Sequence, residues 1–314
     1  MYISESLLKA AHDDQGYVLV PDLIPSDLLP ALRAACDRVI AKTRTGAWPH
    51  RRTVGKQFPP FDDAHPDSWG VQHVMHPALG EPVFAQWYTS EGVRTVSAAL
   101  LGCDVGSLQM ELFNLLINPL NHDFALRWHR DDVRENATPE EELKALASWS
   151  HGVQWNTALY EDACLYLVPK SHKVPRTDEQ RVHSTTLEPP RDPLAMPGSI
   201  RLVLQRKCPS LRVCVWSVDM LTTTSIAGET VFYNSNILHC ATYDAKQRRA
   251  TLHATMGDTR GGSTRARNVL QHGLEWMQER RFRETLDDAG QRMLDALIEM
   301  RIGVRGEVGY SLTG

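Results

Sequence analysis

Chemistry in this sequence centres on a histidine and an aspartate that are separated by one residue. His129 and Asp131 follow an apolar run, Met110 to Pro119, that is typical of a buried strand. Alternate side chains of an extended chain share a face, so the imidazole and the carboxylate point the same way. They make up two-thirds of a two-histidine, one-carboxylate face, which suits a non-haem Fe(II) with three open positions. A His-x-Asp tripeptide alone is not diagnostic, because such tripeptides arise by chance in chains of this length.

A third histidine and a pair of arginines follow later in the chain. His239 ends a strand-like run, and Arg248 and Arg249 open the next β-like run. The order His-x-Asp, long interval, His, Arg is much more specific than any of its parts, and it predicts that His239 is the third metal ligand. An arginine at this place would bind the far carboxylate of 2-oxoglutarate through two parallel hydrogen bonds, which a guanidinium fork does better than an ammonium group. The alternative is an ordinary strand-end histidine followed by surface charges.

Only one of the two arginines can reach the metal pocket, because adjacent residues of a strand face opposite sides. The row of Arg249 continues through Thr251 and is polar, whereas the row of Arg248 is apolar and suits packing. We therefore predict that Arg249 binds the carboxylate and that Thr251 adds a hydroxyl hydrogen bond. Arg248 stays the alternative, since a slip of one residue reverses the faces.

Several further segments resemble the phytanoyl-CoA dioxygenase family of Fe(II)/2-oxoglutarate-dependent oxygenases, and the resemblance covers most of the chain. The similar segments are 16–24, the helix-like stretch 28–41, 115–119, 154–159 and 165–173. Lys170 departs from the family, which usually has glycine at this place in a turn. Asp131 is retained, whereas halogenases of this group carry glycine or alanine there, so oxygen chemistry is implied.

The resemblance implies a mainly β protein with flanking helices around a double-stranded β-helix, or jelly-roll, core. It implies one Fe(II), with 2-oxoglutarate and O2 as cosubstrates, and oxidative decarboxylation of 2-oxoglutarate coupled to oxidation of a C–H bond. It also places Trp155 on the cosubstrate side of the site.

Composition limits the class of protein and its partners. The chain has 314 residues, of which 42% are hydrophobic and 23% charged, and its net charge of −4 gives no field that would gather nucleic acid. The six cysteines show no Cys-x-x-Cys spacing, which favours free thiols in a reducing compartment. No secretory segment or membrane span is recognisable, so we expect a cytoplasmic protein without a membrane partner.

The expected organisation is one oxygenase domain over residues 1–314. Its predicted parts are helices and a loop layer (1–107), the jelly-roll core (108–258) and a C-terminal helical segment (259–314). Thr138 and Glu141 form a capping box before an acidic helix at 140–147, which is either a lid or a plain surface helix. The predicted helices are 4–15, 28–41, 83–101, 140–147 and 283–302, and the predicted strands are 17–20, 108–118, 153–160, 164–168, 199–204 and 211–218. Segments 177–197 and 257–262 are predicted loops, and Arg265 near the second loop is expected to be solvated.

The substrate pocket is less well defined by the sequence. Residues 45–82 are rich in proline and aromatic residues without a period, which favours an ordered loop layer. This layer either shapes the pocket mouth or only covers the barrel. Its Gln72 and His73 are predicted pocket residues, together with Asn114 and Gln154 from the strands.

The predicted function is that of an Fe(II)/2-oxoglutarate-dependent dioxygenase. The substrate is expected to be a small organic molecule, such as a biosynthetic intermediate, because the sequence has no glycine-rich phosphate loop or dense lysine run for CoA. Hydroxylation is the default reaction, with desaturation or another oxidation possible on the same iron. The alternatives are a jelly-roll hydrolase with another metal and a non-catalytic binding barrel. The amphipathic C-terminal helix serves packing or dimerisation, so the protein is a monomer or a homodimer.

Overall fold

The computed structural model describes residues 5–53, 67–148, 151–186, 188–204 and 228–304. The strands are β1 (Tyr17–Val20), β2 (Arg51–Thr53), β3 (Ser68–Val71), β4 (Leu108–Leu116), β5 (Phe124–Ala125), β6 (Gly152–Ala158), β7 (Leu165–Leu167), β8 (Ile200–Arg201), β9 (Thr230–Tyr233), β10 (His239–Tyr243) and β11 (Thr251–Asp258). The α-helices are α1 (Glu5–Gln15), α2 (Leu29–Arg44), α3 (Val83–Tyr88), α4 (Glu91–Leu101), α5 (Pro139–Ser148), α6 (Asp178–Ser184), α7 (Ala266–Leu270), α8 (Arg280–Arg283) and α9 (Asp288–Gly303). Short 3-10 helices occupy Pro77–Leu79, Val105–Ser107, Ser171–Lys173, Pro193–Ala195, Thr259–Thr264 and Glu275–Gln278.

The strands form two antiparallel sheets. The larger sheet has the order β1-β9-β6-β11-β4-β3-β2, and the smaller one has the order β5-β10-β7-β8. Both sheets contribute side chains to one internal cavity. This arrangement confirms the predicted jelly-roll class with flanking helices.

The two faces of the larger sheet have different surroundings. In β4 all nine residues are buried, and Phe113 and Leu115 belong to the main hydrophobic core with the apolar stripes of α2 and α9. Leu116, on the opposite face of the strand, lines the cavity. In β11, Leu252 and Ala254 are fully buried in the same core, as the predicted apolar row requires. The helices therefore cover one face, and the other face is left for the site.

Two strands lie in the segment that was predicted as a loop layer. β2 and β3 pair with each other, and β3 pairs with β4, so they extend the larger sheet beyond its core strands. Their three and four residues are too few to show an alternating pattern, and all four residues of β3 are buried. Residues 54–66 of the predicted layer lie outside the described residues.

Helix boundaries also differ from the sequence prediction. The predicted loop 177–197 contains α6, which begins with a capping box between Thr177 and Gln180. The predicted helix 283–302 begins later, as α9 at Asp288, because the Asp287 side chain accepts a hydrogen bond from the Gly290 amide and caps the helix there. Arg283 instead ends the short helix α8. The predicted capping box of Thr138 and Glu141 is present at α5. The predicted strand 211–218 lies outside the described residues.

No helix in the described ranges combines the length and the apolar character that crossing a membrane requires.

Candidate active site

The three predicted metal ligands come together. The nearest ligating atoms of His129, Asp131 and His239 all lie within 4.8 Å of one another. Asp131 Oδ1 is 3.6 Å from His129 Nε2 and 3.8 Å from His239 Nε2. Adjacent ligands of an octahedral first-row ion are roughly 3 Å apart when bond lengths are about 2.0–2.2 Å. A small inward movement would therefore bring all three atoms to one ion.

The backbone fixes the two histidines as a pair. The His129 amide donates to the His239 carbonyl at 2.9 Å, and the His239 amide donates back at 3.0 Å. This isolated antiparallel bridge joins the segment after β5 to the start of β10. The ring centroids are 4.3 Å apart as a result. Side chains separated by 110 positions in sequence thus face the same point.

Each histidine presents the same ring nitrogen to the centre. His129 Nδ1 lies 2.7 Å from the Arg127 carbonyl, and His239 Nδ1 lies 2.8 Å from the Ile237 carbonyl. A carbonyl only accepts, so each Nδ1 carries the proton and each Nε2 keeps its lone pair for a metal. Burial, and secondarily the His239 ring, lowers the pKa of His129 to about 4, which keeps the imidazole neutral near pH 7.

Gln154 orients the carboxylate ligand. Its side-chain amide donates to Asp131 Oδ2 at 2.9 Å, so Oδ1 is the oxygen that faces the two imidazoles. Gln154 projects from β6 and lines the cavity, as the sequence predicted for a pocket residue. The donor set, with two neutral imidazoles and one oriented carboxylate oxygen, fits a divalent first-row ion with open positions.

Arg249 lies on the same cavity and is held by a buried carboxylate. Its Nε donates to Asp162 Oδ2 at 3.0 Å and contacts Thr251 Oγ at 3.2 Å, while the Thr251 hydroxyl donates to the same carboxylate. The guanidinium also lies 4.8 Å from the Tyr243 ring centroid. Asp162 occupies Nε, whereas Nη1 is buried without a hydrogen-bond partner in the described part of the chain, so this terminal nitrogen is available to a ligand.

Arg248 is not brought to the cavity. It forms a 2.7 Å ion pair with Asp37 and lies over the Tyr160 ring, and 60% of its side chain is exposed. β11 begins only at Thr251, so both arginines precede the strand, yet they still point to opposite sides. The polar row that starts at Arg249 continues into His253, which also lines the cavity.

Trp155 does not lie beside the cosubstrate pocket. Its ring is fully buried in the main core, between Tyr88 and Phe232 on the helix-covered face of the larger sheet. Its neighbours Gln154 and Asn156 line the cavity instead, because side chains alternate along β6. The placement of Trp155 implied by the resemblance is therefore wrong for this chain.

Three other predicted pocket residues lie outside the cavity wall. Gln72 and His73 are almost fully buried, and the His73 ring contacts His50 and Trp276. The Asn114 side-chain oxygen accepts from the His73 amide at 3.0 Å, so it is used to hold the chain after β3. None of the three is among the residues that line the cavity in the described ranges.

Sequence reasoning missed several residues that line the cavity. They are Arg52, Glu111, His253, His272 and Arg265. Arg265 was expected to be solvated, but it forms a buried ion pair with Glu111, with Nε 2.8 Å from Oε1. Glycines make room for this pair, since a Cβ at Gly152 would overlap the guanidinium. The polar row on β11 was the available signal for His253, whose pKa burial lowers to about 3.

A buried charge cluster anchors α5 to the ligand segment. Glu142 is fully buried and accepts from the Arg176 Nε at 2.6 Å and from Arg181. Arg130, which lies between the two nearby ligands in sequence, has its Nε 3.6 Å from the same carboxylate. Arg130 also donates to the backbone carbonyls of Ser171 and Asn236. The acidic helix is therefore attached to the segment that carries His129 and Asp131.

Comparisons with known proteins agree with this architecture. The family described as "Phytanoyl-CoA dioxygenase (PhyH)" matches residues 12–249. A comparison with curated proteins gives no match.

Solved structures share the fold at low sequence identity. EctD from S. alaskensis, solved with 2-oxoglutarate and 5-hydroxyectoine, is 17% identical over 82% of this chain and 77% of its own, with a TM-score of 0.53. AviO1 from Streptomyces viridochromogenes Tue57 is 16% identical over 82% of this chain and 96% of its own, with a TM-score of 0.52. The non-heme alpha ketoglutarate dependent epimerase SnoN from nogalamycin biosynthesis is 16% identical over 81% of each chain, with a TM-score of 0.50. The family match covers most of the chain, and the chain therefore belongs to the phytanoyl-CoA dioxygenase family of Fe(II)/2-oxoglutarate-dependent oxygenases, as its sequence predicted.

Proposed function

We propose that this protein oxidises a C–H bond of a small organic molecule, with His129, Asp131 and His239 as the Fe(II) ligands. The convergence of these three side chains on one point is the observation that carries the proposal. When bound, the iron supplies the oxidising chemistry, with 2-oxoglutarate and O2 as cosubstrates and succinate and CO2 as products.

The residues around the centre have separate tasks. The two Nδ1–H groups hold the imidazoles in the tautomer that leaves Nε2 free, and Gln154 holds the carboxylate. Arg249 would bind the far carboxylate of 2-oxoglutarate through its terminal nitrogens, with Asp162 and Thr251 fixing its orientation.

An arginine on the cavity favours this function over the two alternatives. A zinc hydrolase could use the same ligands but has no need for a guanidinium placed for a dicarboxylate. A non-catalytic barrel needs neither open metal positions nor this arginine. Hydroxylation of a biosynthetic intermediate is the reaction that we propose first. In support, the neighbour SnoN belongs to nogalamycin biosynthesis, and the sequence has no glycine-rich phosphate loop for CoA.

Replacement of one ligand tests the proposal. We expect Asp131→Ala to lose bound Fe(II), measured as metal content after anaerobic reconstitution, and to release no succinate from 2-oxoglutarate. Circular dichroism should stay unchanged, because backbone hydrogen bonds hold the site without an ion. Asp104→Ala is the matched control, since Asp104 is exposed and its side chain caps no helix. Full metal content and activity in Asp131→Ala would contradict the proposal.

A further inference from the structure

Three arginines line the cavity in the described part of the chain, and they differ in their partners. Arg249 is paired with Asp162, and Arg265 is paired with Glu111. Arg52 has no carboxylate partner among the described residues, and its buried Nε has no hydrogen-bond partner there. One guanidinium on the wall of the cavity thus forms no hydrogen bond to a carboxylate of the described residues, and Asp131 acts on its charge only from a distance.

The larger sheet carries Arg52 toward the cavity. Arg52 on β2 pairs with Gly70, Gly70 pairs with Leu116, and Leu116 pairs with Thr251, so the four residues form one row across the sheet. A Cβ at Gly70 would lie 3.2 Å from the Cβ and Cδ of Arg52. The glycine therefore leaves the space through which the Arg52 side chain passes. Any larger residue at this position would meet the aliphatic part of the arginine.

An aromatic ring supports the guanidinium from one side. Arg52 Cζ lies 5.2 Å from the ring centroid of Trp69, which is itself buried against Tyr243. A ring face orients a guanidinium but does not fill the donor sites at its edge. Arg52 is partly buried and is charged at any pH in the physiological range, and a buried donor of a charged group that lacks a hydrogen-bond partner is costly. Carboxylates and phosphates match such an edge with two parallel hydrogen bonds.

We propose that Arg52 binds an oxyanion group, a carboxylate or a phosphate, of a small molecule held in this cavity. The inference rests on the proposed function insofar as the cavity is taken as the active site. Such a group has two possible sources, which are 2-oxoglutarate itself and an acidic primary substrate. With either source, Arg52 is a charged binding residue in a cavity wall that also contains the apolar Leu112 and Leu116.

Calorimetry on Mn(II)-loaded protein separates the two sources. In the first arm, 2-oxoglutarate is titrated into the wild-type protein and into Arg52→Gln. In the second arm, the same two proteins are first saturated with 2-oxoglutarate. The probes are then inorganic phosphate and two pairs of an acid with its amide: acetate with acetamide, and benzoate with benzamide. Arg248→Gln is the control, because it removes the same charge from the surface.

We expect Arg52→Gln to weaken binding about tenfold or more in one arm, the factor that corresponds to losing one charge-assisted hydrogen bond. A loss in the first arm assigns Arg52 to 2-oxoglutarate. A loss of the preference for acids over amides in the second arm assigns it to an acidic substrate. Arg52→Lys keeps the charge but not the fork, and it serves if the glutamine variant does not fold.

Unchanged binding in both arms of Arg52→Gln, or an equal loss in Arg248→Gln, would overturn the inference. A wild-type protein that binds no 2-oxoglutarate with Mn(II) would instead contradict the proposed function. In that case the second arm is run without 2-oxoglutarate. The difference between wild-type protein and Arg52→Gln in their preference for acids over amides then still decides whether Arg52 binds an oxyanion.

Discussion

Replacement of Arg249 by lysine gives a sharp test of the cosubstrate site. Lysine keeps the positive charge beside Asp162, so the buried carboxylate is not left unpaired, but it removes the two-pronged donor edge. Burial alone would raise the pKa of Asp162, and the charge of Arg249 with the Thr251 hydroxyl instead holds it below its usual value. The substitution thus changes ligand geometry more than the charge balance of the cavity.

The expected loss follows from the hydrogen bonds. A charge-assisted hydrogen bond contributes about 1.5–3 kcal/mol, so losing one should raise the dissociation constant of 2-oxoglutarate by about ten- to a hundredfold. Arg248→Lys is the matched control at the neighbouring position. Its ion pair with Asp37 is exposed, and exposed pairs contribute only about 0–1 kcal/mol.

The assay is calorimetric titration of 2-oxoglutarate into Mn(II)-loaded protein, with thermal unfolding as the check on folding. We expect Arg249→Lys to bind weakly with a nearly unchanged melting temperature, and Arg248→Lys to bind as the wild-type protein does. Equal affinities in Arg249→Lys and the wild-type protein would refute the assignment. A loss confined to Arg248→Lys would mean that the other arginine binds the cosubstrate.

Two further predictions concern stability. Glu142→Gln should lower the free energy of unfolding by about 3–5 kcal/mol, because it leaves buried arginines without their carboxylate. The control is Glu140→Gln on the exposed face of α5, which should change the free energy of unfolding by less than about 0.5 kcal/mol. Denaturant titration measures both, and equal effects would argue against the cluster. Burial, and then the charges of His50 and His76, lowers the pKa of His73 from 6.5 to about 3. Between these two pH values His73 binds a proton in the unfolded chain but not in the folded one. The free energy of unfolding therefore falls as the pH falls through this window. His73→Asn, which tolerates the positive φ of 60° found there, should reduce the loss between pH 7.5 and 5 by about 2 kcal/mol, and an unchanged pH dependence would contradict this.

The ligand set could be predicted because its signals are local. His129 and Asp131 share a face over three residues, and the polar row from Arg249 needs only strand alternation. His239 was predicted from the order His-x-Asp, long interval, His and Arg, and the family resemblance implied the fold in which it meets the other two ligands. The extent of the domain and the cellular compartment stay predictions.

The remaining errors come from long-range register. Whether Trp155 or its neighbours face the cavity depends on how β6 pairs with β11, which a single strand does not encode. Arg265 looked like a loop charge, because its partner Glu111 and the room left by Gly152 are distant in sequence. Arg52 reaches the cavity only because β2 and β3 extend the sheet, and these strands are too short to recognise by pattern.

The backbone bridge between His129 and His239 has a consequence for metal selectivity. Main-chain hydrogen bonds of 2.9 and 3.0 Å hold the two segments that carry the imidazoles, so the backbone does not have to rearrange for a particular ion and only the side chains adjust. Divalent ions from Mn(II) to Zn(II) should therefore enter the same preorganised cleft, with affinities in the Irving–Williams order rather than a preference for iron. We expect the bridge to make ion exchange possible without refolding, so that cellular metal supply decides whether the protein carries its active ion.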